Sequence, residues 1–141
     1  MLNNVLKILV IISTLIYVNN GHAEQLLQSS TSWDGGSIFY PKGEAQVTSL
    51  KLKLAAGHST EFHCHPVPTF GYILKGNLQV ETKDGKKILM KQGSSILEVM
   101  KTIHRGTAID SEVEIVVFYA GAKSIPNTVL LDSEEAKDYC Y

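Results

Sequence analysis

The sequence predicts an all-β fold, either a β-sandwich or a jelly-roll barrel, that ends in a short tail with helical character. Apolar and polar residues alternate over residues 47–54, which is the pattern of a half-buried strand. Asp84-Gly85 stands between two further strand-like segments and is a strong signal for a two-residue hairpin turn. Other short segments, rich in β-branched and aromatic residues, are separated by glycine-containing turns.

The remaining strands follow one another at short intervals. They are predicted at residues 70–74, 78–82, 86–90, 95–99 and 112–119. A turn at Lys75-Gly76-Asn77 is expected to join the first two of these strands, and Gln92-Gly93 to precede the strand at 95–99. A helical pattern appears in the tail, at residues 133–138, where Ser133 is the candidate N-cap. These elements predict one compact domain.

The first 23 residues have the composition of a cleaved secretory signal. Lys7 precedes an apolar run from Ile8 to Val18, and Gly21-His22-Ala23 places small residues where a signal peptidase reads. The run is shorter than the roughly 20 apolar residues of a membrane span, and an uncleaved anchor is the alternative. We expect an exported protein, periplasmic or secreted, with a mature chain of residues 24–141 that forms a single domain.

Charge and cysteine content limit the partners of this chain. The formal net charge is −1, and the sequence has no basic stripe and no acidic tail. We therefore expect no nucleic acid partner, and no membrane association after signal cleavage. The two cysteines are Cys64 and Cys140. A disulfide between them would persist in an oxidising compartment, and free or intermolecular thiols are the alternatives.

Three histidines form the most informative pattern in the chain. His63 and His65 are one residue apart, and side chains at i and i+2 of a strand point to the same face. Cys64 points to the opposite face and is a poor candidate ligand. His104, which we expect to close a later strand, would complete a three-nitrogen cap on a divalent metal ion with open coordination positions. Fe, Mn, Zn and Ni all accept imidazole, and isolated surface or core histidines are the alternative.

Six residues around these histidines occur at a characteristic spacing: Gly57, His63, His65, Gly76, Gly93 and His104. In this spacing the chain resembles the two motifs of the cupin superfamily, in particular the small single-domain bacterial cupins of type 2. The motif core covers about residues 45–121. The resemblance implies a jelly-roll barrel, a metal site made of the three histidines, a small-molecule ligand and a homodimer.

The chain departs from the family pattern at several positions. Thr69 stands at the position of the family's glutamate ligand, and Ala108 at that of the asparagine after the second-motif histidine. Val99 and Lys101 stand in place of the proline and the second glycine of that motif. The resemblance therefore implies a three-histidine site, whose metal ion keeps its full 2+ charge and favours an anionic ligand.

Glu98 is the acid–base candidate. It lies in the apolar stretch 96–100, and its carboxylate points either into the barrel near the metal or out at an edge. Three functions compete: a metal-dependent enzyme of dioxygenase or isomerase type, a non-catalytic protein that binds a small molecule or the metal, and a structural protein that has lost its site. The histidines argue against the third, and the sequence does not choose between the first two.

Overall fold

The computed structural model describes residues 21–141, and residues 1–20, which carry most of the predicted signal peptide, lie outside the described residues. The described part forms strands β1 (Ala45–Leu54), β2 (His63–Cys64), β3 (Thr69–Thr82), β4 (Lys87–Met90), β5 (Ser95–Leu97), β6 (His104–Ala122) and β7 (Val129–Leu130), and helix α1 (Ala136–Tyr139). The predicted all-β class is confirmed. No helix in this part of the chain combines the length and the apolar composition that crossing a bilayer requires.

The two long strands β3 and β6 form the centre of the fold. They pair antiparallel along almost their whole length, from Thr69 opposite Tyr119 to Thr82 opposite His104. Strands β1 and β5 flank the half of this pair that contains Thr69, whereas β4, β2 and β7 flank the other half. Buried apolar side chains from both halves pack in one cluster, which gives the predicted jelly-roll sandwich a common core.

The segment predicted to be a turn at residues 75–77 is a bulge inside β3, so the prediction of two separate strands there is wrong. The register between β3 and β6 shifts on both sides of this segment. Gly76 has a φ of +78°, and a Cβ atom there would collide with the carbonyl oxygen of Glu112. Glycine is therefore required at this bend, where both long strands cross from one half of the sandwich to the other.

Strand β6 is also longer than predicted. It runs from His104 to Ala122, and the strand expected at residues 112–119 is only its second part. His104 therefore begins this strand and does not close a strand, as the sequence had suggested. Its place at the start of β6 brings it directly opposite His63 of β2.

The helix of the tail covers residues 136–139 and begins later than the predicted 133–138. Ser133 is not its N-cap. The Ser133 hydroxyl instead donates a hydrogen bond to the carbonyl of Leu130 at 2.8 Å, within the preceding turn. Glu135 occupies the N-cap position and makes no side-chain capping bond.

A disulfide fastens this tail to the barrel. Cys140 follows α1 directly and is bonded to Cys64 of β2, with a Cα–Cα distance of 5.8 Å. Cys64 is fully buried and packs with Ile103 and Val129, on the side of β2 away from the histidines. Of the three cysteine states that the sequence leaves open, the structure contains the intramolecular disulfide.

Candidate metal centre

The three histidines converge inside the barrel, as the sequence predicts. His63 lies in β2 opposite His104 of β6, and His65 follows β2 immediately. The ring centroids are 4.5 to 4.9 Å apart in all three pairs. One ring nitrogen of each lies within 4.8 Å of those of the other two, so one metal ion would reach all three imidazoles.

Backbone carbonyls determine which nitrogen of each ring is free. Each Nδ1 atom lies at hydrogen-bonding distance from a carbonyl oxygen: Glu61 for His63 (2.7 Å), Asn127 for His65 (2.9 Å) and Thr102 for His104 (2.8 Å). A carbonyl oxygen only accepts, so each Nδ1 carries the proton and donates it. The Nε2 lone pair of each neutral ring is left for a metal ion, and a bond from the other ring nitrogen is what orients metal-binding histidines in proteins.

Burial keeps these imidazoles neutral. Desolvation is the largest effect on each of them and lowers the pKa of His63 and His104, and it lowers the pKa of His65 well below its ordinary value. Mutual repulsion between the rings lowers the pKa of His63 and His65 further. The neutral form is the one that binds a metal ion, so the site is in its ligating state at neutral pH.

The three histidines line a cavity of about 250 Å³ inside the barrel. Its walls are mainly apolar, with Leu52 and Leu54 of β1 and Val80 of β3 among them. At about 30 Å³ per water molecule, this volume equals roughly eight waters and suits a small organic molecule. The polar lining side chains include the three histidines, Thr69 and Glu98, and a mainly apolar wall with a few polar groups is the usual arrangement of a small-ligand site.

Glu98 points into this cavity, which settles the orientation that the sequence leaves open. Its side chain is buried, and its Oε2 atom lies 3.8 Å from Nε2 of His104. Burial raises the pKa of the Glu98 carboxyl to about 7, although the nearby His63 and the Trp33 indole act in the opposite direction. Neither Oε2 of Glu98 nor Nε1 of Trp33 makes a well-formed hydrogen bond.

Thr69 also faces the cavity but is poorly suited to bind a metal ion. Its side chain is buried, and its hydroxyl donates a hydrogen bond to the carbonyl of Val67 at 3.0 Å. Lys101, at the position of the family's second glycine, adopts a φ of +62°, and its N–H donates to the carbonyl of His65 at 2.8 Å. The left-handed backbone is thus kept without glycine, and this bond helps to hold the His65 backbone in place.

Sequence reasoning missed the groups that orient the histidines. They are main-chain carbonyls of Glu61, Thr102 and Asn127, and any residue type can provide a carbonyl. Asn127 is also distant in sequence from the histidine to which it is bonded. A side-chain pattern therefore carries no signal for these contacts.

Comparison with known proteins identifies a family. A family model described as "Cupin domain" matches residues 50–120, which is half of the 141-residue chain. The matched segment contains all three histidines, Thr69 and Glu98. Comparison with curated proteins gives no match.

Several solved structures share the fold. An oxalate oxidase is 21% identical at a TM-score of 0.51, with 60% of this chain and 46% of that chain covered. The DMSP lyase DddQ from Ruegeria pomeroyi DSS-3 is 19% identical at a TM-score of 0.54, with 62% and 44% covered. The polyketide cyclase RemF from Streptomyces resistomycificus is 16% identical at a TM-score of 0.53, with 68% of each chain covered. The match spans less than half of the first two chains, and likeness at this level of identity shows the fold alone.

Proposed function

Because this chain belongs to the cupin domain family, we propose that it holds one divalent metal ion through His63, His65 and His104 and presents it to a small anionic molecule in the barrel. The observation that carries this proposal is the convergence of three neutral imidazoles whose Nδ1 atoms are all engaged by carbonyls. That arrangement leaves the three Nε2 lone pairs able to bind a metal ion.

The donor set suits several metal ions. Three imidazole nitrogens accept Fe, Mn, Zn or Ni, and availability in the compartment often decides among them. A bound ion would supply positive charge and open coordination positions to an incoming oxygen ligand. The apolar walls around it exclude water, so the attraction for an anion is stronger there than at the protein surface.

Two functions use this site differently. In the first, the protein is an enzyme of dioxygenase or isomerase type, and the carboxyl of Glu98 is the residue able to accept or release a proton inside the cavity. A buried carboxyl with a pKa near 7 supports that function. In the second, the protein only captures a small molecule or the metal itself. The apolar cavity and the three histidines support both.

The expected export and homodimer are part of this proposal. The Cys64–Cys140 disulfide supports export, since such bonds persist in oxidising compartments. Val47 of β1 and Phe118 of β6 are 72% and 46% exposed on the outer face of the sandwich, and such an apolar face supports pairing with a second copy.

Elemental analysis of the mature protein, purified without a histidine tag, tests the metal proposal. We expect about one equivalent of metal in the wild type and a small fraction of that in the His63→Ala/His65→Ala double variant. The control is His58→Ala, which removes an exposed histidine outside the site. Circular dichroism checks that the strand content of each variant is unchanged. Full metal occupancy in the double variant would show that the site is elsewhere.

Binding of small carboxylates then tests the ligand proposal. Isothermal titration of metal-loaded and metal-free protein with acetate, oxalate and succinate should show binding only to the loaded form. Oxygen consumption with each carboxylate separates an oxygenase from a binder. Equal binding to both forms would contradict a role for the metal in anion capture.

A further inference from the structure

We propose that Glu98, the residue that follows β5, is a fourth ligand to the metal ion. The centre would then consist of three imidazoles and one carboxylate. This inference rests on the proposed function, because it presumes that the histidines bind a metal ion. In this proposal Glu98 acts as a ligand and not as a proton acceptor. A divalent ion and its four protein ligands would then carry a net charge of 1+ together, and not 2+.

The backbone places the Glu98 side chain on the correct face. Strands β3 and β5 pair with Phe70 opposite Leu97, and one step further the Glu98 N–H donates to the Thr69 carbonyl at 2.9 Å. Directly opposite residues of an antiparallel pair project to the same face. Glu98 and Thr69 accordingly both line the cavity, side by side.

The distance between donor atoms fits a shared ion. Oε2 of Glu98 lies 3.8 Å from Nε2 of His104. Two atoms that bind one ion at about 2.1 Å each can be separated by at most roughly 4.2 Å. This 3.8 Å separation is shorter than the 4.8 Å within which the ring nitrogens of the three histidines lie from one another.

The surroundings of Glu98 favour a cation beside its carboxylate. Its Oε2 atom is buried without a hydrogen-bond partner. Burial of an unpaired carboxylate costs several kcal/mol or more, and such groups are normally paired or bound to a metal. Within residues 21–141, the basic group at ion-pair distance from Glu98 is His104. The Nδ1–H of His104 already donates a hydrogen bond to the Thr102 carbonyl. The Trp33 indole lies against the same carboxyl group and would help to orient it.

A glutamine variant with a matched control tests this ligand. Cobalt(II) is titrated into metal-free protein, and both the dissociation constant and the visible absorption bands are recorded. Glu98→Gln should weaken cobalt binding by at least about 10-fold and change the bands, because the coordination sphere loses an oxygen. Glu134→Gln removes the same charge from an exposed residue of the C-terminal tail that does not line the cavity, and it should leave the bands unchanged.

A compensating variant separates ligation from a structural role. In Thr69→Glu/Glu98→Gln the carboxylate is supplied from the opposite strand, and we expect most of the lost affinity and the wild-type type of spectrum to return. If Glu98→Gln binds cobalt with wild-type affinity and wild-type bands, Glu98 is not a ligand and only this inference fails. If the wild type binds no cobalt, the proposed metal function fails with it.

Discussion

His63 and His104 are cross-strand partners in the register of β2 and β6, and their ring centroids lie 4.5 Å apart. Two of the three candidate ligands are thus held by sheet pairing. However, β2 is only two residues long, so its position depends on its neighbours β6 and β7 and on the disulfide at Cys64. The stability of the C-terminal tail and the geometry of the metal centre are therefore coupled through β2.

Removal of the disulfide should weaken both the fold and the metal site. The Cys64–Cys140 bond closes a loop with a sequence separation of 76 residues, for which chain entropy gives a stabilisation of about 4 kcal/mol. We expect Cys140→Ser to lower the free energy of unfolding by about 2–4 kcal/mol in urea titrations, and to lose metal faster to a chelator. Reductant should bring the wild type to the level of the variant and leave the variant unchanged. A reductant effect on the variant would point to another cause.

Alanine at the β3 bulge should destabilise the fold strongly. Gly76 combines a φ of +78° with a Cβ position blocked by the Glu112 carbonyl, so Gly76→Ala costs both backbone strain and a steric clash. Gly85→Ala is the matched control, because Gly85 has a φ of +94° but open space around the added carbon. We expect a loss of about 1 kcal/mol for the control and more than about 2 kcal/mol for Gly76→Ala in chemical denaturation. Equal losses would mean that the clash relaxes freely.

The strands that the sequence predicts well are those with a clear period of two. Residues 47–54 alternate in polarity, and β1 covers residues 45–54. Asp84-Gly85 joins β3 to β4 as expected for a tight hairpin. The first half of β6 was missed because its buried positions are His104, Gly106 and Ala108, which are polar or small and leave little hydrophobic alternation.

The bulge and the orientation of Glu98 depend on partners distant in sequence. A glycine between two apolar runs suits a turn and a bulge equally well, and the continuous strand β6 decides between them at Gly76. Residues 96–99 are all buried, so their burial carries no period from which the direction of Glu98 could be derived. The convergence of His63, His65 and His104 was predictable because the i, i+2 spacing sets two side chains on one face. Their hydrogen bonds to carbonyls were not.

The contribution of Glu98 to the stability of the metal-free protein should fall as pH rises, in the range where Glu98 ionises. Its pKa is raised from 4.5 to about 7 in the folded state. A carboxyl whose folded pKa is raised contributes stability that is fully present below the unfolded pKa and is lost as pH rises through the folded one. This loss amounts to at most about 3 kcal/mol between pH 4.5 and 7.

The Glu98→Gln variant isolates this effect. The pKa values of the three histidines are lowered in the folded state, so their contribution to stability rises with pH, opposite to that of Glu98. The effect of Glu98 is therefore measured as a difference between wild type and variant, and not from the wild-type curve alone. The difference in unfolding free energy, wild type minus Glu98→Gln, should decrease from pH 5 to pH 8 in urea titrations of metal-free protein. A difference that does not vary with pH would show that Glu98 titrates normally.

A bulky residue on the cavity wall should restrict which anions bind without removing the metal. Leu52 of β1 lines the cavity of about 250 Å³, so Leu52→Trp reduces the free volume beside the histidines while leaving them in place. We expect unchanged metal content, acetate binding close to that of the wild type, and succinate binding weaker by about 10-fold or more, which corresponds to about 1.4 kcal/mol. Leu89→Trp is the control, since Leu89 of β4 is 50% exposed and does not line the cavity. If Leu52→Trp and Leu89→Trp bind both carboxylates equally well, the anion does not occupy this cavity, because a bulkier wall that narrows the cavity must weaken binding of the larger anion.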